Sequence, residues 1–316
     1  MPASIDLACG RCGTPCFRPW WRGRIAGSPA IELGCTVGAS RPPLDKMVVE
    51  VVPVMISFLL AAVVLTADQG SAVQVRIPDE PGLKSVHVVW REENVPAFRA
   101  GDTWTTILGV DLDATPGRHP AEAVMIMGDG RVEKREINIE VSQKKFPVSR
   151  LTVSRRFVEL SKADLERAGR EAKETQTIYA RITTDIVPDE PFIVPIPGAT
   201  GRNFGVRRVL NGKPRAPHSG ADLHAKTGTP VHATNRGRVV LAKSLFFTGN
   251  TVILDHGLGI DSLYAHLSRI DVKPGEMVGN GQIIGLAGAT GRATGPHLHW
   301  AMRVQGARVD PFSLVP

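Results

Sequence analysis

Beyond Cys35 the chain has no cysteine: all four, Cys9, Cys12, Cys16 and Cys35, lie at the N-terminal end of a 316-residue sequence. Everything downstream therefore folds without disulfides. The CxxCxxxC spacing suggests zinc, but its Gly-, Pro- and Arg-rich surroundings offer no helical or strand period on which to build a site. No HExxH occurs, which removes the helix-borne glutamate base of one large class of metallopeptidases. The net charge of +7 is not accompanied by a stripe of bases interleaved with aromatics, and nucleic acid is not an expected partner. A disordered chain is excluded as well, since 42% of residues are hydrophobic and 22% charged.

The apolar run VVPVMISFLLAAVVL, residues 51–65, is short for a membrane span but suits the core of a secretory signal. Gly70 and Ala72 supply the small residues that a signal peptidase requires, so the mature chain is expected to begin near Val73. Residues 47–72 are thus read as a signal peptide, or as an uncleaved anchor that would be the chain's sole link to a membrane. Residues 1–46, ahead of Met47, are read as an extension from an upstream start or as a gene-model error. Residues 1–72 carry six bases and five acids, so the remainder keeps a charge of +6 of the original +7. An anionic cell-surface polymer is the expected counterpart, with solubility as the plainer use of the charge.

Residues 73–150 contain short alternating runs such as VQVRI, SVHVVW and INIEV, separated by turn signals that include Asp129-Gly130. That spacing predicts a small antiparallel, immunoglobulin-like sandwich. No chemistry is visible in it. A connecting helical segment, 151–191, follows. Within it Ser161 and Asp164 resemble a capping box, and Leu165, Ala168, Ala172, Thr175 and Tyr179 recur at helical spacing. The proline-rich stretch IVPDEPFIVPIPGATG then marks a boundary, and residues 192–316 form the last domain.

Seven of the nine histidines lie between 218 and 299. In GPHLHW, His297 and His299 point to one face of a strand while Leu298 points to the other. In HSGAD, His218 and Asp222 stand four apart in a loop that runs into a strand, and both suit a borderline cation such as zinc. With one histidine of the HLH pair they make two imidazoles and a carboxylate, a ligand set that leaves a position free for water. The spacing does not decide which of the pair is the ligand. The other, together with His266 of SLYAHLS, remains for acid–base work. His224 shares the face of Asp222 and is read as a surface residue; His232 and His256 are read as polar groups beside turns.

Residues 192–316 resemble the lysostaphin-type, LytM-like zinc metallopeptidases that cut peptidoglycan cross-links, through FGVRRVLNGKPRAPHSGADL, GTPVHAT, GNTVILDHG, SLYAHLS, VKPGEMVGNGQIIGLAGATGRATGPHLHW and VDPF in that order. The resemblance implies an antiparallel β-sandwich (a duplicated hybrid motif) in a mainly β protein, with His218, Asp222 and His299 as Zn2+ ligands and His266 and His297 as catalytic histidines. All five are present, which sets the chain apart from degenerate members. It further implies an exported protein of the periplasm or cell envelope acting on peptidoglycan peptide stems, a D-Ala to diaminopimelate link in a Gram-negative wall. The alternative is a silent wall-binding or amidase-activating module. The hairpins of biotinyl and lipoyl carriers share the glycine-rich pattern, but the nearest lysine, Lys273, precedes the turn, which leaves a carrier without its attachment point.

Overall fold

Apolar and polar side chains alternate along Leu83–Trp90, and burial alternates with them: Val86, Val88 and Trp90 lie inside. A strand of this kind must set one face against another layer. The computed structural model describes residues 63–152, 160–188, 190–199, 201 and 203–316. A five-stranded sheet runs in the order Val63–Asp68, Val132–Ser142, Gly117–Met127, Leu83–Trp90, Glu93–Pro96. It faces a three-stranded sheet of Ala72–Pro78, Thr103–Gly109 and Phe98–Ala100 across a core that includes Val75, Val88, Leu108, Met125 and Ile139.

The 1–46 extension, with its cysteines, and most of the apolar run lie outside the described residues. Residues 63–72 differ from expectation. Val63–Asp68, assigned at the sequence level to the leader, runs parallel to Val132–Ser142 from the pair Val63↔Ile137 to Asp68↔Ser142. Ala72 already pairs with Gly109 in the other sheet. The β-branched VVLTAD tail of the apolar run has a partner strand to join, which a hydropathy argument alone does not reveal. No described helix is long and apolar enough to cross a membrane.

The expected helix spans Lys162–Tyr179, and Ser161 caps it by accepting the Asp164 N–H at 3.1 Å. Its docking face follows the predicted stripe only in part: Ala168, Thr175 and Tyr179 are half-buried, with Tyr179 packed on the same cluster as Ile178, whereas Ala172 is exposed. Leu165 is 56% exposed, and Ile178 is the buried residue, packed with Leu241, Leu245 and Ile253. Polar anchors hold the middle of the helix instead: Lys243 pairs with Glu174 at 2.7 Å, and Glu171 accepts the Phe246 N–H at 2.7 Å.

The histidine-rich part is a seven-stranded antiparallel sheet. Its order is Ala221–His224, His297–Val304, Ile260–Leu267, Gly249–Asp255, Gly237–Leu245, Met277–Val278, with Ala307–Val309 on the outer side of His297–Val304. A three-stranded sheet of Pro230–His232, Ile283–Leu286 and Arg269–Ile270 belongs to the same half. The even-numbered Leu298, Trp300 and Met302 are fully buried in a core with Leu223, Leu254, Tyr264 and Ile284. The odd-numbered His297 and His299 therefore project from the opposite face.

The two sandwiches meet through backbone at close range. A Cβ on Gly109 would stand 2.3 Å from the Val304 carbonyl oxygen, so only glycine fits there. Gln305, at φ +46 in the turn after His297–Val304, donates to the carbonyls of Ile107 (3.1 Å) and Leu258 (2.7 Å) and accepts the Gly109 N–H at 3.1 Å. Arg308 pairs with Asp111 at 2.6 Å and Asp113 at 2.9 Å, and burial-opposed hydrogen bonds from Arg308 hold the Asp111 carboxyl below its ordinary range.

Candidate metal centre

Strand register builds the site. Asp222 pairs with His299 and His224 with His297 across two adjacent strands, and Ala265 pairs with His299 on the far side, so one sheet face gathers them. His266 follows Ala265 at φ +62, a left-handed conformation that a non-glycine residue adopts at a cost of order 1–3 kcal/mol. Its N–H donates to the Thr248 carbonyl at 2.8 Å, which holds that bend. His218 is buried in the loop before Ala221, with its backbone N–H on the Val206 carbonyl and its carbonyl accepting from Gly205 N–H.

Three potential ligand atoms converge. His218 Nε2 lies 3.0 Å from Asp222 Oδ1 and 3.0 Å from His299 Nδ1, and His299 Nδ1 lies 2.8 Å from the same Oδ1. The residues form a group whose ligand atoms all fall within 4.8 Å of one another. A tetrahedral zinc with bonds of ~2.0 Å has ligand-to-ligand edges of ~3.3 Å, so the observed triangle needs to open by only a few tenths of an ångström. Two imidazole nitrogens facing each other beside a carboxylate oxygen are three lone pairs sharing one space, an arrangement that a cation satisfies better than a single proton does.

Surrounding groups fix these lone pairs in place. Asn203 does most of it: its carbonyl accepts from His218 Nδ1 at 3.0 Å, its Nδ2 donates to Asp222 Oδ2 at 2.9 Å, and its Oδ1 accepts the Asp222 N–H at 2.9 Å. His218 is thereby held with Nε2 bare, and Asp222 with Oδ1 turned inward. Burial alone would raise the Asp222 carboxyl, but the imidazoles of His218 and His299 against it outweigh that and hold the group far below the ordinary carboxylate range. Burial takes His299 down to about 4, with the Asp222 carboxylate beside it acting the other way. Both stay in their ligand-ready forms at neutral pH.

His266 and His297 stand beside the triangle, ring centroids 4.7 Å apart, with His266 6.1 Å from the His299 ring. Each gives its Nδ1–H to a carbonyl, Thr290 for His266 and Gly295 for His297, both at 2.8 Å. Both Nε2 atoms are left free to exchange protons, and that of His297 is 3.8 Å from Asp222 Oδ1. Burial, reinforced by the neighbouring His297, lowers the pKa of His266.

All five histidine and aspartate positions singled out from the sequence thus share one face. His224 sits opposite His297 and is exposed, as a surface reading requires. His232 donates its Nδ1–H to the Gly281 carbonyl, away from the centre. His256 does stand beside the turn at Gly257–Gly259, but it is fully buried, bonded to the Arg236 carbonyl at 2.6 Å and Ser262 Oγ at 2.7 Å, and burial pushes its pKa down to about 4. Asn203, Thr248 and Thr290 were invisible in the sequence. Their signal is a contact between distant segments, with no fixed spacing to read.

The model of peptidase family M23 matches residues 216–311. Peptidoglycan DD-endopeptidase ShyA of Vibrio cholerae is 45% identical over 109 residues, which are 34% of this chain and 25% of ShyA. DD-carboxypeptidase/endopeptidase Mpg of Neisseria meningitidis is 42% identical over 97 residues, 31% of this chain and 22% of Mpg. The chain spans about a quarter of the length of these curated relatives. A crystal structure from Pseudomonas aeruginosa described as a peptidase M23 superposes with a TM-score of 0.61 at 31% identity, over 78% of this chain and 94% of that one. A likeness that extends through both sandwiches, together with the family match over the histidine-rich sheet, shows that this chain belongs to peptidase family M23.

Proposed function

We propose that the chain is a zinc-dependent endopeptidase that hydrolyses peptide cross-links of peptidoglycan outside the cytoplasm. The observation that carries this reading is the convergence of His218 Nε2, Asp222 Oδ1 and His299 Nδ1 to about 3 Å, flanked by two imidazoles with bare Nε2 atoms. Wall peptides as the substrate rest on the relatives named for that activity. The 63–316 body would follow an exported leader, which residues 51–62 supply in composition.

His218, Asp222 and His299 would hold the ion. A zinc held there would supply Lewis acidity for polarising the scissile carbonyl and for lowering the pKa of the attacking water. His266 takes the proton from the attacking water at its bare Nε2, since burial keeps that ring neutral near pH 7. His297, in the form protonated at both ring nitrogens, would donate a hydrogen bond from Nε2 to the developing oxyanion while its Nδ1–H stays on the Gly295 carbonyl, and the proton taken up by His266 would pass to the departing amine. The carbonyls of Thr290 and Gly295, by accepting hydrogen bonds from the two Nδ1–H groups, keep both rings aimed. Asn203 keeps two of the ligands aimed.

The test is digestion of isolated sacculi by the purified chain, followed by mass analysis of the products. Release of muropeptides that stops with a chelator and returns with added zinc supports the reading. Wall binding without any product at any metal concentration would establish the silent binding module in its place.

A further inference from the structure

A second small sheet borders the metal centre. Its strands are Lys213–Pro214, Arg207–Leu210 and Val148–Leu151, in that order. The segments that build it, residues 143–152 and 203–217, contain seven bases and no acid. Two of the bases are neutralised by other parts of the chain, Lys144 by Asp310 at 3.7 Å and Arg207 by Asp113 at 2.6 Å.

The rest are sorted by strand alternation. Leu210 pairs with Lys213, and Arg215 N–H donates to the Arg208 carbonyl at 2.8 Å, so Arg208, Lys213 and Arg215 share one face. The hairpin between them turns on Asn211-Gly212 with φ +50 and +76, the signature of a tight two-residue turn that sets the two strands rigidly. All three cations are exposed. Arg208 ends 4.0 Å from Asp222 Oδ2, which places this face at the edge of the metal centre. Among the described residues, no carboxylate comes within 4 Å of Lys213 or Arg215.

Three like charges held on one rigid face repel one another, and among the described residues only Arg208 has a carboxylate near it, that of Asp222 at 4.0 Å, which leaves Lys213 and Arg215 without an acid. An anion from outside relieves them. We propose that Arg208, Lys213 and Arg215 form a cationic subsite that binds the free carboxylates of a wall peptide beside the bond being cut. The inference rests on the peptidoglycan reading above and adds to it a site for the uncut part of the substrate. Peptide stems carry carboxylates at several positions, and a subsite touching the metal centre would both raise their local concentration and set the direction in which the peptide enters.

The experiment uses the zinc-loaded chain and the double variant K213E/R215E, leaving Arg208 intact because it borders a ligand. Soluble cross-linked muropeptides are offered with their carboxylates free or converted to amides. The double variant is expected to raise KM for the free-acid substrate by about 10-fold while kcat stays within about twofold, because charges at the rim act on encounter and binding. Amidation should raise KM for the unmodified chain and remove the difference between it and the variant. A charge-matched reversal on the far sandwich, R76E/K84E, is expected to do neither. The proposal is overturned if the double variant hydrolyses the free-acid substrate with an unchanged KM, if R76E/K84E weakens binding equally, or if binding survives amidation and follows phosphate polymers of the envelope instead.

A separate arm measures co-sedimentation of chelated protein with sacculi. Binding there that depends on Lys213, Arg215 and free carboxylates supports the subsite even if no peptide is ever cut, so loss of the enzymatic reading and loss of the subsite give different results.

Discussion

Asn203→Ala is the most discriminating perturbation of the metal centre. The substitution keeps the backbone carbonyl that fixes His218 but removes both side-chain bonds to Asp222, Nδ2 to Oδ2 and the Asp222 N–H to Oδ1, each 2.9 Å. One of these is a hydrogen bond to a charged acceptor, worth about 1.5–3 kcal/mol, and its loss frees the carboxylate to rotate Oδ1 out of the triangle. Groups that orient a ligand typically change metal affinity by about 10–100-fold, or roughly 1.4–2.8 kcal/mol, and the same range is expected here. Zinc affinity is read by competition with a calibrated chelator, and folding by thermal melting of the metal-free protein. The variant should bind zinc more weakly by that factor and recover most of its kcat at excess zinc. Asn203→Asp, which sets a second carboxylate against Asp222, should be weaker still. An affinity unchanged within about threefold for both variants would refute the idea that Asn203 aims the ligands.

His266→Ala and His297→Ala should each lower kcat by about 10²–10⁴-fold with zinc content intact by metal analysis, the range for loss of a positioned acid or base. A chain starting at Val73 loses the Val63–Asp68 strand, including buried Ala67 and the half-buried Leu65, and should be less stable by at least about 2 kcal/mol than one starting at Val63, measured by denaturant unfolding. Buried His256 has a folded pKa of about 4 against an ordinary 6.5, so the unfolded chain binds more protons between those values. Its contribution is therefore fully present above pH 6.5 and falls away as the pH drops toward 4, by up to roughly 3 kcal/mol; His256→Gln should flatten that part of the stability profile, and an unchanged slope would assign the loss to other groups.

Period-2 patterning made the metal face legible in advance. His297 and His299 had to share a face, and the glycines and proline before them had to deliver a strand. The cap at Ser161 was equally local and could be read from two residues. Legibility ended where contacts became long-range. Spacing in the 161–182 segment placed Leu165 and Tyr179 on one stripe, yet only Tyr179 packs; the helix is held at its last turn by Ile178 and Tyr179 and further back by Glu171 and Glu174, whose partners Phe246 and Lys243 lie some seventy residues on. Residues 63–68 read as leader for the same reason: their hydropathy is visible in the sequence, while the partner strand lies some seventy residues away. The turn beside His256 could be read locally, but its burial could not, because Ser262 and Arg236, which satisfy it, are separated from it in the chain.

Gln305 has a meaning beyond joining two halves. It lies six residues after His299 on the same continuous run of chain, and its amide is pinned to three backbone groups from two other regions. A slide of the histidine strand by one position would turn Leu298 outward and both imidazoles into the apolar interior. Such a slide would have to tear the amide from all three anchors at once, so the far sandwich serves as the stop that keeps the metal-facing edge in phase.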